Sequence, residues 1–394
     1  MLISNLKILV NKLTLIFLIV SFSEDIYKHF LIKQLNMINS YLNKKVVVTG
    51  HTGFKGSWLT AWLKIMGADV IGISLDPPTI KSHFQAAKIY DGIDDNRINI
   101  KDAKKIRDKI CDVSPDFLFH LAAQPIVGIS YDDPLETWNT NVIGTVNILE
   151  ALRYVEKKCT AVIITSDKCY DNVEWEWGYR ENDALGGPDP YSASKGAAEL
   201  AIRSYVKSYF SGDNNPVRIA SARAGNVIGG GDWAENRIVP DCVQSWSKNE
   251  IVELRNPHST RPWQHVLEPL GGYLQLGALL SQNPQLHGEA FNFGPQAQQN
   301  HSVLELVKQM SKSWSEVRWA ECEPQSSQFY ESGLLKLNCD KALHFLRWHA
   351  VLNFEETVAL TADWYRSYYD DPSSIQDVTH KQINDYAKRL SFLI

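Results

Sequence analysis

The sequence predicts an α/β protein with a Rossmann-type, doubly wound parallel sheet. Short apolar runs rich in Val and Ile alternate with amphipathic helical segments from Lys44 onward, the pattern of a parallel sheet covered on both faces. The first run leads directly into a glycine-rich loop, which is typical of a dinucleotide site. After about Arg223 the alternation becomes less regular. We therefore expect a Rossmann domain at 44–222 and a smaller substrate-binding domain mainly within 223–394, interleaved with the first.

The elements are predicted from these periodicities in chain order. The predicted strands are Lys45–Thr49, Ala68–Ser74, Pro115–Leu121 and Ala161–Ser166. The predicted helices include Trp58–Met66, Leu135–Tyr154 and a helix opened by Asp189 and Pro190. Right-handed crossovers between parallel strands then give the doubly wound arrangement.

Composition is that of an ordinary globular protein. Hydrophobic residues make up 44% of the 394 residues and charged residues 22%, which argues against extensive disorder. The net charge of −5 does not indicate a surface for nucleic acid or an anionic membrane. The six cysteines form no CxxC pair, so neither a metal cluster nor a dense disulfide framework is predicted. We expect a cytoplasmic protein without a metal.

The first forty residues are set apart from the fold. Two lysines precede the apolar run Leu13–Val20, and small residues follow it. This order is compatible with a secretory signal, but the run is too short to span a bilayer. We favour an N-terminal extension over 1–40 that is not part of the fold, because Met37 offers a natural start just before the first strand.

The loop after the first strand predicts the cofactor site. It reads Gly50-His51-Thr52-Gly53-Phe54-Lys55-Gly56. Glycine permits the tight turn, lets backbone N–H groups approach a pyrophosphate and allows close packing of helix on strand. The spacing is GxxGxxG rather than GxGxxG, and a glycine triad alone can mark a mere turn. Its position between the first strand and the first helix favours dinucleotide binding.

Other cofactor contacts are predicted at the ends of later strands. Asp76 ends the second strand, where a carboxylate accepts hydrogen bonds from ribose hydroxyls and repels a 2′-phosphate, favouring NAD over NADP. The alternative is a turn residue before two prolines. Asn99 follows a further strand that precedes Pro115, near the expected adenine position. The small-residue segment His120–Gln124, at the end of the strand Pro115–Leu121, lets the backbone pass close to the cofactor. The predicted cofactor-binding residues are Gly50, Thr52, Gly53, Phe54, Gly56, Asp76, Asn99, Leu121, Ala122, Tyr191 and Lys195.

A polar cluster predicts the catalytic site. Ser166, Asp167 and Lys168 end a strand at the edge where such sheets place their active sites. Tyr191 and Lys195 lie four residues apart and share a helix face; a nearby ammonium lowers the pKa of a phenol, which can then remove a proton during hydride transfer. The YxxxK spacing occurs twice more, from Tyr41 and Tyr154, so position rather than motif selects Tyr191.

The glycine loop, the serine–tyrosine–lysine set and the segment from Arg223 to Val227 resemble the extended short-chain dehydrogenase/reductase family. Within it, five stretches are similar to the branch of CDP-glucose 4,6-dehydratases. They are Gly50–Trp58, Ser166–Asn172, Trp177–Glu181, Gly229–Trp233 and Arg261–Val266. The similarity extends over roughly residues 44 to 370.

The resemblance implies the roles of the catalytic residues. Tyr191 would take the proton of the sugar C4 hydroxyl while NAD accepts the C4 hydride, and Lys195 would hold the nicotinamide ribose. Ser166 would hydrogen-bond the C4 oxygen. Asp167 would protonate the departing C6 hydroxyl, and hydride would return to C6. The product would enter deoxysugar synthesis, for example for lipopolysaccharide O-antigen.

Lys168 departs from the glutamate that many other 4,6-dehydratases have as the C5 base. It could act as that base when neutral or stabilise the developing enolate; the alternative is a surface lysine in a loop. The CDP-glucose branch resembles this sequence in having lysine here.

The resemblance also implies substrate contacts and an assembly. Asn226 and Arg261 would contact the diphosphate side of CDP-glucose, since arginine suits that geometry. Arg223 and His265 are further candidates for substrate contact, but a packed ion pair for Arg223 and a structural histidine for His265 are equally reasonable. A homodimer or homotetramer, formed through the helices near Leu135–Tyr154 and Tyr191–Tyr209, is the family expectation.

Two other functions remain open. A nucleotide-sugar 4-epimerase would share NAD, Tyr191 and Lys195 but needs no acid for a leaving group at C6, so Asp167 and Lys168 weigh against it. A non-catalytic NAD-binding sensor would generally lack the tyrosine or the lysine.

Overall fold

A seven-stranded parallel sheet forms the centre of the protein. The computed structural model describes residues 39–392 except 213, 255, 297, 315–316 and 322–333; the N-terminal extension up to 38 and Cys322 lie outside this part. The sheet strands are β1 (Lys45–Thr49), β2 (Asp69–Ser74), β3 (Asp94–Arg97), β4 (Phe117–His120), β5 (Cys159–Ile164), β6 (Val217–Ala224) and β11 (Ala290–Phe293). Their order is β11-β6-β5-β4-β1-β2-β3, and every neighbouring pair is parallel. The predicted doubly wound fold is therefore confirmed.

Short strand pairs lie outside this sheet. They are formed by β7 (Val227–Ile228), β8 (Val252–Leu254), β9 (Thr260–Arg261), β10 (Gln264–His265), β12 (His301–Ser302) and β13 (Trp319–Glu321). β7 pairs with β10, β9 with β12 and β8 with β13. These segments follow β6 in sequence, four before β11 and two after it, in the part of the chain predicted to bind substrate.

The helices cover both faces of the sheet. They are α1 (Phe54–Ile65), α2 (His83–Ala86), α3 (Ala103–Val113), α4 (Val127–Asp132), α5 (Pro134–Trp138), α6 (Gly144–Leu152), α7 (Pro190–Tyr209), α8 (Ile238–Trp246), α9 (Leu267–Gln282), α10 (Val303–Ser311), α11 (Asp340–Leu346), α12 (Phe354–Asp370) and α13 (Ile375–Phe392). Among the described residues, no helix is both long and apolar enough to cross a bilayer.

Alternation along the strands divides the core into two. Val46 and Val48 of β1 belong to one buried cluster, and Val47 between them belongs to the other. This is the period-2 alternation of a strand buried on both sides. The edge strand β3, by contrast, reads Asp-Asp-Asn-Arg and is largely exposed, as expected of an edge that resists pairing with another chain.

Two predicted helices differ from the structure at their ends or middle. α1 begins at Phe54, four residues earlier than predicted, because the glycine loop closes in one turn and the third glycine already lies in the helix.

The predicted helix Leu135–Tyr154 is interrupted by a π-helical segment at Asn139–Ile143. Asn141 of this segment exchanges hydrogen bonds with the backbone of Gln124 and donates to Ser194 Oγ at 2.9 Å. The extra residue in the turn directs Asn141 toward the loop after β4.

A buried ion pair fixes α7 to the sheet. Arg223 Nη2 in β6 donates to Glu199 Oε2 in α7 at 2.8 Å, and both side chains are 4% exposed. Thr165 donates to the other oxygen of Glu199 at 2.5 Å, and Ser221 Oγ donates to Oε2 at 2.9 Å. Arg223 also donates to the hydroxyl of Tyr170 at 2.8 Å. This identifies Arg223 as part of a packed ion pair, one of the two alternatives that the sequence left open.

We expect Arg223→Met to lower the free energy of unfolding by about 3–5 kcal/mol, because it leaves the Glu199 carboxylate buried without its partner. The double substitution Glu199→Leu/Arg223→Met removes both charges and should recover much of this loss. Urea denaturation followed by circular dichroism measures both. A loss with Arg223→Met no greater than about 1 kcal/mol, the typical value for an exposed ion pair, would show that the pair does not stabilise the fold.

Candidate active site

The glycine loop is shaped for the close approach of a ligand to its backbone. Gly50 has a φ of +76°, and a Cβ there would lie 2.7 Å from the backbone N of Ala122. A Cβ on Gly56 would lie 2.0 Å from the carbonyl oxygen of Gly50. Only glycine therefore fits at either position. The loop thus brings the ends of β1 and β4 and the start of α1 together, and Leu121 and Ala122 lie beside it, as predicted.

The start of α1 supplies free backbone donors for a phosphate group. The N-cap residue Gly53 provides no side-chain hydrogen bond to the first turn, and this turn contains no acidic residue. Thr52 Oγ1 is hydrogen-bonded to Ser74 Oγ at 2.7 Å and donates to the carbonyl oxygen of Leu75 at 3.0 Å, which ties the loop to the end of β2. Uncapped amides at the positive end of a helix bind anions, so these residues fit the pyrophosphate of a dinucleotide.

The acidic residue predicted for the ribose lies at the end of β2. The side chain of Asp76 is 90% exposed, and its Oδ1 accepts a hydrogen bond from Arg97 Nε at 3.0 Å. Asn99 Oδ1 instead accepts the backbone N–H of Lys101 at 2.9 Å. The Asn99 side chain therefore shapes a turn in this structure, whereas Asp76 faces solvent where a ribose can reach it.

The polar cluster after β5 forms a short 3-10 turn at Asp167–Cys169. Ser166 caps it, accepting the N–H of Lys168 at 3.2 Å, and its hydroxyl donates to Asp167 Oδ1 at 2.9 Å. Burial raises the pKa of Asp167, although the charges of Lys168 and Lys55 and the hydrogen bond from Ser166 oppose the rise. A raised pKa favours the protonated carboxyl, which is the form that can donate a proton.

Tyr191 and Lys195 lie in the first turns of α7, as predicted. Asp189 caps this helix through the N–H of Ser192 at 2.9 Å, and Pro190 occupies its first position. The Lys195 ammonium lies 5.9 Å from the centre of the Tyr191 ring. Burial lowers the pKa of Lys195 to about 8. Both side chains are buried against the end of β5, so the structure brings the serine, tyrosine and lysine together.

The ionisation of Tyr191 differs from the sequence-based expectation. Burial raises its pKa to about 12, opposed by a hydrogen bond with Ser166 and by the charge of Arg237. The expected lowering by Lys195 is not what dominates, because the hydroxyl has lost its water. Burial therefore favours the phenol form of Tyr191, and positive charge near the hydroxyl, as from Arg237, favours the phenolate form that can accept a proton.

Lys55 and Arg237 are site residues that the sequence analysis did not assign. Lys55 lies in the first turn of α1, and burial lowers its pKa to about 8, with the nearby charge of Asp167 opposing this and those of Arg237 and Lys195 adding to it. A cation at the positive end of a helix is unfavourable. The presence of a lysine within the glycine motif was thus the one sequence signal that could have identified Lys55 as a site residue.

The residues predicted to bind the nucleotide lie on neighbouring segments beyond β6. Asn226 precedes β7, and its carbonyl oxygen accepts the N–H of Gln264 at 3.2 Å. Arg261 lies three residues before Gln264, in β9. The pairing of β7 with β10 thus brings these two segments together. His265 in β10 is fully buried, and burial lowers its pKa to about 3, which identifies it as a neutral structural histidine.

The first turn of α1 faces these segments. A Cβ on Gly229 would lie 3.2 Å from the ring of Phe54, and Trp58 Nε1 donates to the carbonyl oxygen of Gly230 at 2.9 Å. The glycine loop, the turn after β5, the start of α7 and the segment after β6 thus lie close together. Their polar groups include a serine, an acid, a phenol, an arginine and three lysines, which suits proton transfer on an alcohol and its neighbouring carbons.

Comparison with known proteins agrees with this geometry. Residues 47–361 match the model of the GDP-mannose 4,6 dehydratase family. The CDP-glucose 4,6-dehydratase of Salmonella typhimurium is 44% identical over 355 residues, which span 88% of this chain and 97% of the relative. The UDP-glucose 4-epimerase of Mycoplasma genitalium is 24% identical, with 83% of this chain and 98% of the relative covered.

Solved structures share the fold. A UDP-glucose-4-epimerase from Stenotrophomonas maltophila with bound NAD and formylated UDP-arabinopyranose matches with a TM-score of 0.72 at 20% identity, covering 83% of this chain and 99% of the other. A UDP-glucuronic acid 4-epimerase from Bacillus cereus in complex with UDP-glucuronic acid and NAD has a TM-score of 0.68 at 20% identity, with 82% and 100% covered. The chain therefore belongs to the GDP-mannose 4,6 dehydratase family of NAD-dependent nucleotide-sugar dehydratases and epimerases.

Proposed function

We propose that this chain is a CDP-glucose 4,6-dehydratase, which converts CDP-glucose to CDP-4-dehydro-6-deoxy-D-glucose and water. The observation that carries the proposal is the buried carboxyl of Asp167 in contact with Ser166, with its pKa raised. An epimerase moves hydride only at C4 and needs no such acid. The choice of cytidine is supported by the 44% identity to the Salmonella enzyme.

The cofactor that fits the glycine loop and the start of α1 is NAD. When bound, it would accept hydride at C4 and return it to C6. Gly50, Gly53 and Gly56 would let its pyrophosphate approach the backbone and the amides of α1. Asp76 would bind the ribose hydroxyls of the adenosine half, and Lys195 would bind the other ribose.

Each catalytic side chain then has a distinct role in the reaction. Ser166 Oγ hydrogen-bonds the C4 oxygen, and Tyr191 Oη, in its phenolate form, accepts the C4 hydroxyl proton. The resulting 4-ketone acidifies the proton on C5, because the enolate spreads the charge onto the ketone oxygen. Asp167 gives its proton to the C6 hydroxyl, which leaves as water. Lys168, when neutral, removes the C5 proton; the ammonium that forms holds the enolate by its charge and gives the proton back to C5 when hydride returns to C6.

A homodimer or homotetramer in the cytoplasm is the proposed assembly and location. Helices α5 and α7 pack against each other, and Leu135, Trp138 and Leu200 on these helices are exposed. Exposed apolar side chains on neighbouring helices are typical of an interface between subunits. The cysteines described by the structure are all free thiols, which fits a reducing compartment.

We expect the protein, supplied with NAD, to convert CDP-glucose to a 4-keto-6-deoxy product without net formation of NADH. UDP-glucose, dTDP-glucose and GDP-mannose serve as parallel substrates, and NMR follows the C6 methyl signal of the product. Interconversion of the glucose and galactose forms without a methyl signal would favour the 4-epimerase instead. If none of the four nucleotide sugars is converted although NAD is bound, the substrate assignment is contradicted.

Asp167→Asn should slow the dehydration of CDP-glucose by about 10²–10⁴-fold, the usual contribution of a positioned general acid. The same variant should process CDP-6-deoxy-6-fluoroglucose at nearly the wild-type rate, because fluoride leaves without a proton. Release of fluoride is followed by ¹⁹F NMR, and Ser166→Ala provides a control that should be slow with both substrates. Equal impairment of Asp167→Asn with both substrates would contradict its role as the acid.

Lys55→Met should move the basic limb of the pH–rate profile to higher pH. Activity needs protonated Asp167 and falls as the pH rises through its pKa; the Lys55 charge lowers this pKa, so its removal raises it. Lys168, Tyr191 and Tyr273 also lie near Asp167 and remain in place. The measurement is kcat/KM against pH at saturating NAD, with Lys55→Arg as the charge-retaining control. A limb that stays fixed in Lys55→Met would show that the two groups are not coupled.

A further inference from the structure

A chain of four hydrogen-bonded polar side chains runs from His51 in the glycine loop to Asp76 at the end of β2. The Nε2 atom of His51 is hydrogen-bonded to Asp95 Oδ1 at 2.8 Å. Arg97 Nη1 donates to the same carboxylate oxygen. Arg97 Nε donates in turn to Asp76 Oδ1 at 3.0 Å. Arg97 therefore lies between two carboxylates, one on its own strand β3 and one at the end of β2.

This network is held by packing as well as by hydrogen bonds. The His51 side chain is fully buried, and it fits only because residue 72 is glycine: a Cβ there would lie 2.4 Å from the imidazole ring. Phe84 packs edge-on against His51, with ring centres 5.5 Å apart. The Arg97 guanidinium lies over the face of the Phe84 ring, 5.5 Å from its centre. Arg97 is thus positioned from two sides, by Asp95 and by Phe84.

The charges of the network do not cancel. Burial lowers the pKa of His51, so the imidazole is neutral at neutral pH, and two carboxylates face a single guanidinium. The resulting negative charge favours a ribose with free hydroxyls over one that carries a 2′-phosphate. Yet arginine is the side chain best suited to bind that phosphate, and here it is held next to Asp76.

Resting on the proposed NAD site, we propose that Arg97 is a masked ligand for a 2′-phosphate, and that its ion pair with Asp76 sets the preference for NAD over NADP. The Asp76 carboxylate both repels the phosphate and occupies the Nε donor of the arginine. If this carboxylate is removed, Asp95 and Phe84 still hold the guanidinium in place, with Nε available to an anion.

The test is cofactor binding by isothermal titration calorimetry, which does not depend on sugar turnover. The wild-type chain should bind NAD more tightly than NADP. Asp76→Ser should raise the affinity for NADP relative to NAD by at least tenfold, and this gain should weaken with added salt, because it is electrostatic. The double variant Asp76→Ser/Arg97→Met should lose the gain. Asp76 is a solvent-facing side chain, so the fold should tolerate its replacement, and circular dichroism checks this.

The outcomes separate this proposal from the proposed function. If NAD binds but Asp76→Ser/Arg97→Met keeps the full gain, Arg97 is not the phosphate ligand and only this proposal is overturned. If the wild-type chain binds no NAD, both are contradicted. Arg153→Met is a matched control, because Arg153 also pairs with a carboxylate, Glu150 at 2.8 Å, and stacks on an aromatic ring, that of Tyr209. It lies on another part of the surface and should leave the ratio of NADP to NAD affinity unchanged.

Discussion

The geometry of the active site depends on how α7 is fixed to the sheet. Glu199 lies four residues after Lys195 and eight after Tyr191, so the three side chains share one face of the helix. Its carboxylate is bound by Arg223 of β6 and by Thr165, the residue before Ser166. One buried carboxylate thus sets the position of the helix that carries the tyrosine and lysine relative to the strand end that carries the serine and acid. The groups that must meet at one sugar are thereby held from two elements at once.

Burial is the second constraint, and it acts on acids and bases in opposite directions. It raises the pKa of Asp167 and lowers those of Lys55 and Lys195 to about 8. The pKa of Asp167 and those of the two lysines therefore move toward each other and toward neutral pH. In water these groups would be almost entirely charged at neutral pH. Burial favours the protonated carboxyl of Asp167, the form that can act as an acid, and it favours the neutral form of the two lysines.

Local sequence signals predicted the parts of the structure that local physics determines. Strand β1 has the predicted bounds and Asp189 caps α7, whereas β5 begins and ends two residues before the predicted strand Ala161–Ser166. What could not be predicted depends on partners far away in sequence. The π-helical segment exists because Asn141 meets Ser194, and β11 joins the sheet only through β6. The pairing of Asp76 with Arg97 similarly requires the register of β2 and β3, which no periodicity encodes.

The same reasoning explains how dehydratases and epimerases can share this fold. Relatives of both kinds match most of the chain, and both reactions begin with oxidation at C4, for which we propose Ser166, Tyr191 and Lys195. In the proposed mechanism, the groups that dehydration adds lie in one short turn after β5, where Ser166 caps the backbone and contacts Asp167. Gly225 opposite this turn leaves room for the acid, since a Cβ there would lie 2.8 Å from Asp167 Oδ2. On the proposed mechanism, a change of reaction would require a few side chains at one strand end and the space to hold them, while the sheet and α7 remain as they are.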